Sequence, residues 1–282
     1  MHYNTLIDAA TLNAHLDDPR WMVMDCRFSL ADTEAGRQAY QHSHISGARY
    51  AHLDEDLSSP ITPATGRHPL PDPTRLAHKL GEWGIDRQTQ IVAYDDMGGM
   101  LAAARLWWLL RWLGHEAYAV LDGGFAAWRR SGLPVTAELP VIQPRLFDAR
   151  PDDRLWFSSE QVQALTPDQT VLDARGAARF RGEQEPIDPV AGHIPGAINL
   201  PTDGNLTADG RFLPTVELRA RFDAVLAGRS PTQVVHSCGS GVTACHNLLA
   251  MEAAGLSGSR LYPGSWSEWI RDPERPIAQG CE

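Results

Sequence analysis

Val234-Val235-His236-Ser237-Cys238-Gly239-Ser240-Gly241-Val242-Thr243-Ala244 is the stretch on which the fold turns. An apolar pair leads into a cysteine, Gly-Ser-Gly follows it, and an apolar-periodic segment runs from Val242 to Met251. The pattern reads as strand, tight loop, helix. Glycines in such a loop let successive backbone N–H groups turn inward on one point, forming an anion-binding nest. The first N–H groups of the following helix have no partner within it and point the same way. Cys238 thus stands where a sulfur anion is stabilised, whether a thiolate or a sulfur carrying a second sulfur. Free cysteines are often mere core residues, but a core cysteine does not need Gly-Ser-Gly after it.

Outward from this loop, the chain repeats itself. Val23-Met24-Asp25-Cys26-Arg27 and His44-Ile45-Ser46-Gly47-Ala48 are answered by Val171-Leu172-Asp173-Ala174-Arg175 and His193-Ile194-Pro195-Gly196-Ala197. Ile91 to Asp95 answers Val234 to Cys238, and Gly123-Gly124-Phe125 answers Gly264-Ser265-Trp266. Four blocks in one order, at a nearly constant offset of about 145 residues, mark a duplicated domain rather than a solenoid. We expect a first domain over 1–135, a linker over 136–152 marked by Pro140, Pro144 and Pro151, and a second domain over 153–282.

Each copy alternates short β-branched runs with helical segments. Strands are expected at Val23–Cys26, Ile91–Tyr94, Ala119–Leu121, Val171–Asp173, Val234–His236 and Arg260–Tyr262, with helices at Leu101–Leu113, Glu217–Leu226 and Thr243–Ala254. This is an α/β fold, each domain a mostly parallel sheet with helices on both faces. Ligands bind such sheets outside the carboxyl ends of the strands, where Cys238 falls. Asp95 holds that position in the first copy, and a carboxylate cannot act as a thiol, so the first domain is expected to be non-catalytic.

Composition narrows the partners. A net charge of −10 opposes nucleic acid and anionic membrane. The longest apolar run, Leu106 to Leu110, is ended by Arg111, too short to span a bilayer. Cys26, Cys238, Cys245 and Cys281 have neither disulfide-framework nor metal-ligand spacing, and no signal peptide is recognisable, which favours the reducing cytoplasm. No metal or organic cofactor is expected, and a monomer is the expected state.

The Cys-Gly-Ser-Gly-Val-Thr-Ala loop, the two Asp-x-Arg…His-Ile-x-Gly-Ala blocks and the inactive first half together resemble the two-domain rhodanese-like sulfurtransferases, over essentially the whole chain. The loop is similar to that of the members that use 3-mercaptopyruvate. Thiosulfate-using members carry Cys-Arg-Lys-Gly-Val-Thr there, where this chain has Gly239 and Ser240. The resemblance implies ping-pong sulfur transfer through a Cys238 persulfide to cyanide, a small thiol or a protein thiol such as that of a thioredoxin-like reductant. Gly239, Gly241, Val242 and Thr243 would form the cradle. It also implies that Ser240 works with a histidine and an aspartate of the first domain, which match His68 and Asp54. Arg179, in Ala178-Arg179-Phe180-Arg181-Gly182, matches an arginine that binds the donor's anionic group, since its planar fork suits a carboxylate. The family's second arginine, some nine residues later, has no counterpart in Glu185-Pro186-Ile187-Asp188-Pro189. Arg181 or Arg67 could stand in for it, and thiosulfate stays open as the alternative donor.

Residues placed alike in both copies, His44 and His193, Asp25 and Arg27, Asp173 and Arg175, are expected to be architectural. His236 reads as a satisfied core histidine, Cys245 as a buried helix residue and the tryptophans as core. A cysteine-dependent phosphatase would need Cys-x5-Arg to clamp phosphate, and Ala244 stands where the arginine should be. A persulfide-carrying partner protein is the remaining non-enzymatic reading.

Overall fold

The computed structural model describes residues 2–281. The chain divides into two compact units, the first comprising Met1–Ser59, Leu70–Asp152 and Leu206–Phe212, the second Pro60–Pro69, Asp153–Asn205 and Leu213–Glu282.

In the first unit, β1 (Leu6–Ile7), β2 (Trp21–Asp25), β4 (Arg49–Tyr50), β5 (Gln90–Tyr94) and β6 (Tyr118–Leu121) form one sheet in the order β1-β6-β5-β2-β4. All its pairings are parallel. β3 (His44–Ile45) pairs antiparallel with β7 (Val135–Thr136). The helices are α1 (Ala9–Asn13), α2 (Ala35–His42), α3 (Pro73–Glu82), α4 (Ala102–Trp112) and α5 (Gly124–Arg130). β5 is buried at every residue, as a central strand covered on both faces must be. α4 buries everything but Arg111, which explains a run too apolar for a surface helix.

In the second unit, β8 (Thr170–Asp173), β9 (Ile198–Asn199), β10 (Val234–Ser237) and β11 (Arg260–Leu261) form a parallel sheet in the order β11-β10-β8-β9. A single parallel bridge from Trp156 to Leu261 repeats the β1–β6 edge of the first unit. Its helices are α6 (Ser159–Gln163), α7 (Ala177–Phe180), α8 (Thr215–Leu226), α9 (Ala244–Ala253) and α10 (Ser265–Trp269). No described helix is long and apolar enough to cross a membrane.

The duplicated motifs build the same brace twice. Arg27 grips Asp25 at 2.6 Å and donates to the Ser43 carbonyl at 2.6 Å; Arg175 grips Asp173 at 2.7 Å and donates to the Gly192 carbonyl at 2.8 Å. The guanidinium then lies over an aromatic ring, Phe125 at 4.3 Å in one unit and Trp266 at 4.9 Å in the other. His44 Nδ1 lies 2.7 Å from the Tyr40 carbonyl, and His193 Nδ1 lies 2.8 Å from that of Phe180. Buried charges survive only when paired and hydrogen-bonded, and here they tie a strand end to the loop that follows.

Two segments leave a contiguous division of the chain. Residues 206–212 join the first unit because the Phe212 N–H donates to Asp122 at 2.8 Å and Arg130 donates to the Asp209 carbonyl at 2.7 Å. Residues 60–69 join the second because the Arg67 N–H donates to Ser267 Oγ at 3.0 Å and Arg271 donates to the Thr65 carbonyl at 3.2 Å. The span 136–152 runs along the first unit: the N–H groups of Arg145 and Arg150 donate to the carbonyls of Gly81 and Leu113, and Phe147 is buried.

Candidate active site

Cys238 directly follows β10, and α9 begins six residues later. The turn between them needs Gly241, whose φ is +75° and whose α-carbon lies against the Pro263 carbonyl, leaving no room for a side chain. The Gly241 N–H donates to Cys238 Sγ at 3.2 Å. The Cys238 and Gly239 carbonyls accept N–H groups of Trp266 and Ser267 at 3.0 and 2.9 Å, which pins the loop to the first turn of α10. Cys238 is 1% exposed, and Val242 is buried. Thr243 stands at the head of α9 without a side-chain cap bond.

The first unit shows what that cradle holds when no cysteine is present. Asp95 follows β5 as Cys238 follows β10, and its carboxylate accepts the N–H groups of Met97, Gly99, Leu101 and Ala103 at 2.9, 2.8, 3.0 and 3.4 Å. Burial pushes its carboxyl up to about 6 against the pull of those donors. An anion occupies the nest in one copy, and a sulfur accepts from it in the other.

Ser240 Oγ lies 2.8 Å from His68 Nδ1, and both residues are buried. His68 was expected from the first domain, but it belongs to the 60–69 segment of the second unit. Asp54 lies in the first unit, exposed, in the turn after β4, its N–H donating to His52 Nδ1 at 3.2 Å.

Arg179 stands in the last turn of α7 and carries two carboxylates. Glu185 accepts from its Nη2 at 2.7 Å and Asp188 at 3.1 Å. Asp188 is also paired with Arg67, through its other oxygen. Both guanidinium groups lie over the loop: a side-chain carbon on Gly239 would meet Arg67 Nη2 at 2.8 Å and Arg179 at 3.7 Å. Arg67 is therefore the second arginine at the cysteine loop, while Arg181 pairs with Glu183 at 2.6 Å. Burial pushes Asp188 above the ordinary carboxylate range despite its two arginines. Burial acts on Glu185 too, but Arg179 and the N–H groups of Asp188 and Ile187 hold it below that range.

Ser265 is the residue sequence reasoning missed. Its hydroxyl accepts the Cys238 N–H at 3.0 Å, donates to the Tyr262 carbonyl at 2.9 Å and lies 3.9 Å from Sγ. It does so from a left-handed backbone, φ +52°, rare for a residue with a side chain. The repeat carried the signal, for the matching Gly124 also has positive φ. Cys245 is a buried helix residue as expected, its thiol donating to the Gly241 carbonyl at 3.3 Å. His236 corrects an expectation: it is fully buried, but neither ring nitrogen has a hydrogen-bond partner among the described residues.

A parallel α/β unit with a cysteine cradled after its central strand is the architecture of a sulfur-handling site, and comparison with known proteins agrees. A family model for the rhodanese-like domain matches residues 8–131 and 140–272, and the chain belongs to that family as a tandem pair. A Pseudomonas aeruginosa protein named "Probable 3-mercaptopyruvate sulfurtransferase" is 51% identical over 279 residues, 98% of each chain. The rat thiosulfate sulfurtransferase is 35% identical, covering 93% of this chain and 90% of its own. The structure of 3-mercaptopyruvate sulfurtransferase from Leishmania major superposes with a TM-score of 0.84 at 32% identity, over 96% of this chain and 76% of that one. This chain is accordingly an enzyme, a sulfurtransferase.

Proposed function

We propose that the enzyme takes its sulfur from 3-mercaptopyruvate and carries it as a persulfide on Cys238. The observation that supports this reading most is the Ser240–His68 pair beside the cysteine loop, in a loop with no basic residue of its own. The Cys238 thiolate attacks the donor's sulfur. The new S–S bond forms as the C–S bond breaks, and its electron pair leaves on carbon as the enolate of pyruvate. That enolate needs a proton and, before it forms, a polarised carbonyl. Ser240 is the donor group at hand and His68 its proton relay. The cradle of Gly239, Gly241, Val242 and Thr243 stabilises the sulfur anion in both half-reactions. Arg179 and Arg67 receive the donor's carboxylate.

The outer sulfur then passes to cyanide, a small thiol or a protein thiol of thioredoxin-like kind, and Cys238 returns as thiolate. Such an acceptor suits a reducing cytoplasm. Thiosulfate is the second reading, favoured by the two arginines over Gly239, which suit a sulfonate as well as a carboxylate.

The deciding experiment compares kcat/KM for the two donors with cyanide as common acceptor. Preference for mercaptopyruvate by about a hundredfold, roughly 2.7 kcal/mol in transition-state binding, is the expected result. Equal rates or a thiosulfate preference would assign the enzyme to thiosulfate.

A further inference from the structure

Arg67 and Arg179 already hold a carboxylate between them, and it is the protein's own. Asp188 puts one oxygen on each guanidinium, with its side chain only 3% exposed. Glu185, 4% exposed, takes the remaining face of Arg179, with Nε 3.1 Å from both its oxygens. Arg175 also lies 3.5 Å from Glu185 but is itself paired with Asp173, so three cations face three carboxylates and the subsite is neutral before any donor arrives. Arg67 Nε is buried and has no acceptor among the described residues. Asp188 and Arg67 are distant in sequence, and the Arg67 backbone is fixed independently of Asp188, its N–H donating to Ser267 Oγ at 3.0 Å.

We propose that Asp188 is the specificity determinant of this subsite, a built-in carboxylate that sets its charge to admit a singly charged donor and to disfavour a doubly charged one. The inference rests on the reading above, in which Arg67 and Arg179 receive the donor's anionic group. Mercaptopyruvate brings one negative charge, its carboxylate, into a neutral site. Thiosulfate brings two, next to Asp188 and Glu185. Charges a few ångströms apart in a partly buried site interact strongly enough to matter by tens of fold. Removing one of the resident negative charges therefore helps the dianion about twice as much, in free energy, as the monoanion. The Asp188 carboxylate pairs with the two guanidinium groups, so it acts as a positioning and selecting group and not on the reacting sulfur.

The test is Asp188→Asn, which keeps the shape and removes the charge, with Asp188→Glu as the charge-retaining control. The ratio of kcat/KM for thiosulfate to that for mercaptopyruvate should rise at least tenfold in Asp188→Asn, through KM, with kcat for each donor within about threefold of the parent. Asp188→Glu should keep the parent ratio. Binding gives a readout apart from turnover: sulfate should inhibit Asp188→Asn at concentrations at least tenfold lower than it does the parent, with a smaller change for pyruvate. An unchanged ratio, or KM rising equally for both donors, would show that Asp188 only props the arginines and would overturn the inference while leaving the assigned activity intact. A parent enzyme that accepts sulfur from neither donor would overturn the activity itself, and the inference with it.

Discussion

Ser265 shows how one residue can favour chemistry over stability. A left-handed backbone costs a non-glycine residue on the order of 1 kcal/mol or more, and the matching residue in the copy without a cysteine is Gly124. What the serine adds is a hydroxyl that fixes the Cys238 N–H. Ser265→Ala keeps the strain and leaves that buried N–H unpaired, a loss of about 2 kcal/mol. Ser265→Gly loses the same bond but relieves the strain, so it should be more stable than the alanine variant by about 1 kcal/mol. Both should transfer sulfur to Cys238 roughly tenfold more slowly, because the loop that aims the thiolate is loosened. Urea denaturation and single-turnover rates check this; a glycine variant less stable than the alanine variant, or full rates in both, would contradict it.

Among the elements, β10 is the strand that delivers the cysteine, and it carries an imidazole with no hydrogen-bond partner among the described residues. Burial alone pushes His236 down to about 3, so the folded protein holds it neutral while the unfolded chain titrates near 6.5. A depressed histidine gives stability that is present above its unfolded value and is lost as pH falls below it, because the unfolded state then binds the extra proton. Between pH 7.5 and 5.5 this group should remove about 1.4 kcal/mol. His236→Leu should lose that much less over the same interval, read as the difference between the two proteins' denaturation free energies. Equal acid sensitivity would mean the imidazole has a proton partner in the fold. The periodicity found β10 and α9 to within about a residue of their ends, since apolar spacing dictates both. It could not show that His236 lacks a partner, because hydrogen bonding of a core residue depends on the neighbouring strands β8 and β11.

At the scale of the molecule, duplication is what made the chain readable. The Asp-x-Arg and His-Ile blocks recur because each sheet needs the same buried brace, and both copies build it. The Asp95-for-Cys238 exchange was equally legible, and it carries a prediction. Asp95→Ala would strand four backbone N–H groups around a buried void, so it should destabilise the first unit by at least about 2 kcal/mol. A loss below about 0.5 kcal/mol, measured by chemical denaturation, would contradict the view that an anion organises this loop. Segments 60–69 and 206–212 were not legible, because their allegiance rests on single long-range bonds such as Arg67 to Ser267 that leave no periodic trace. Arg67 was legible only as one of two candidates beside Arg181, and the choice between them rests on the same long-range contacts. The central claim, that Cys238 carries the sulfur, is tested most directly by intact-mass and peptide mass spectrometry after exposure to 3-mercaptopyruvate. One added sulfur atom, on the peptide bearing Cys238, discharged by cyanide and absent from Cys238→Ser, is the predicted result. No added sulfur, or sulfur that persists in Cys238→Ser, would contradict it.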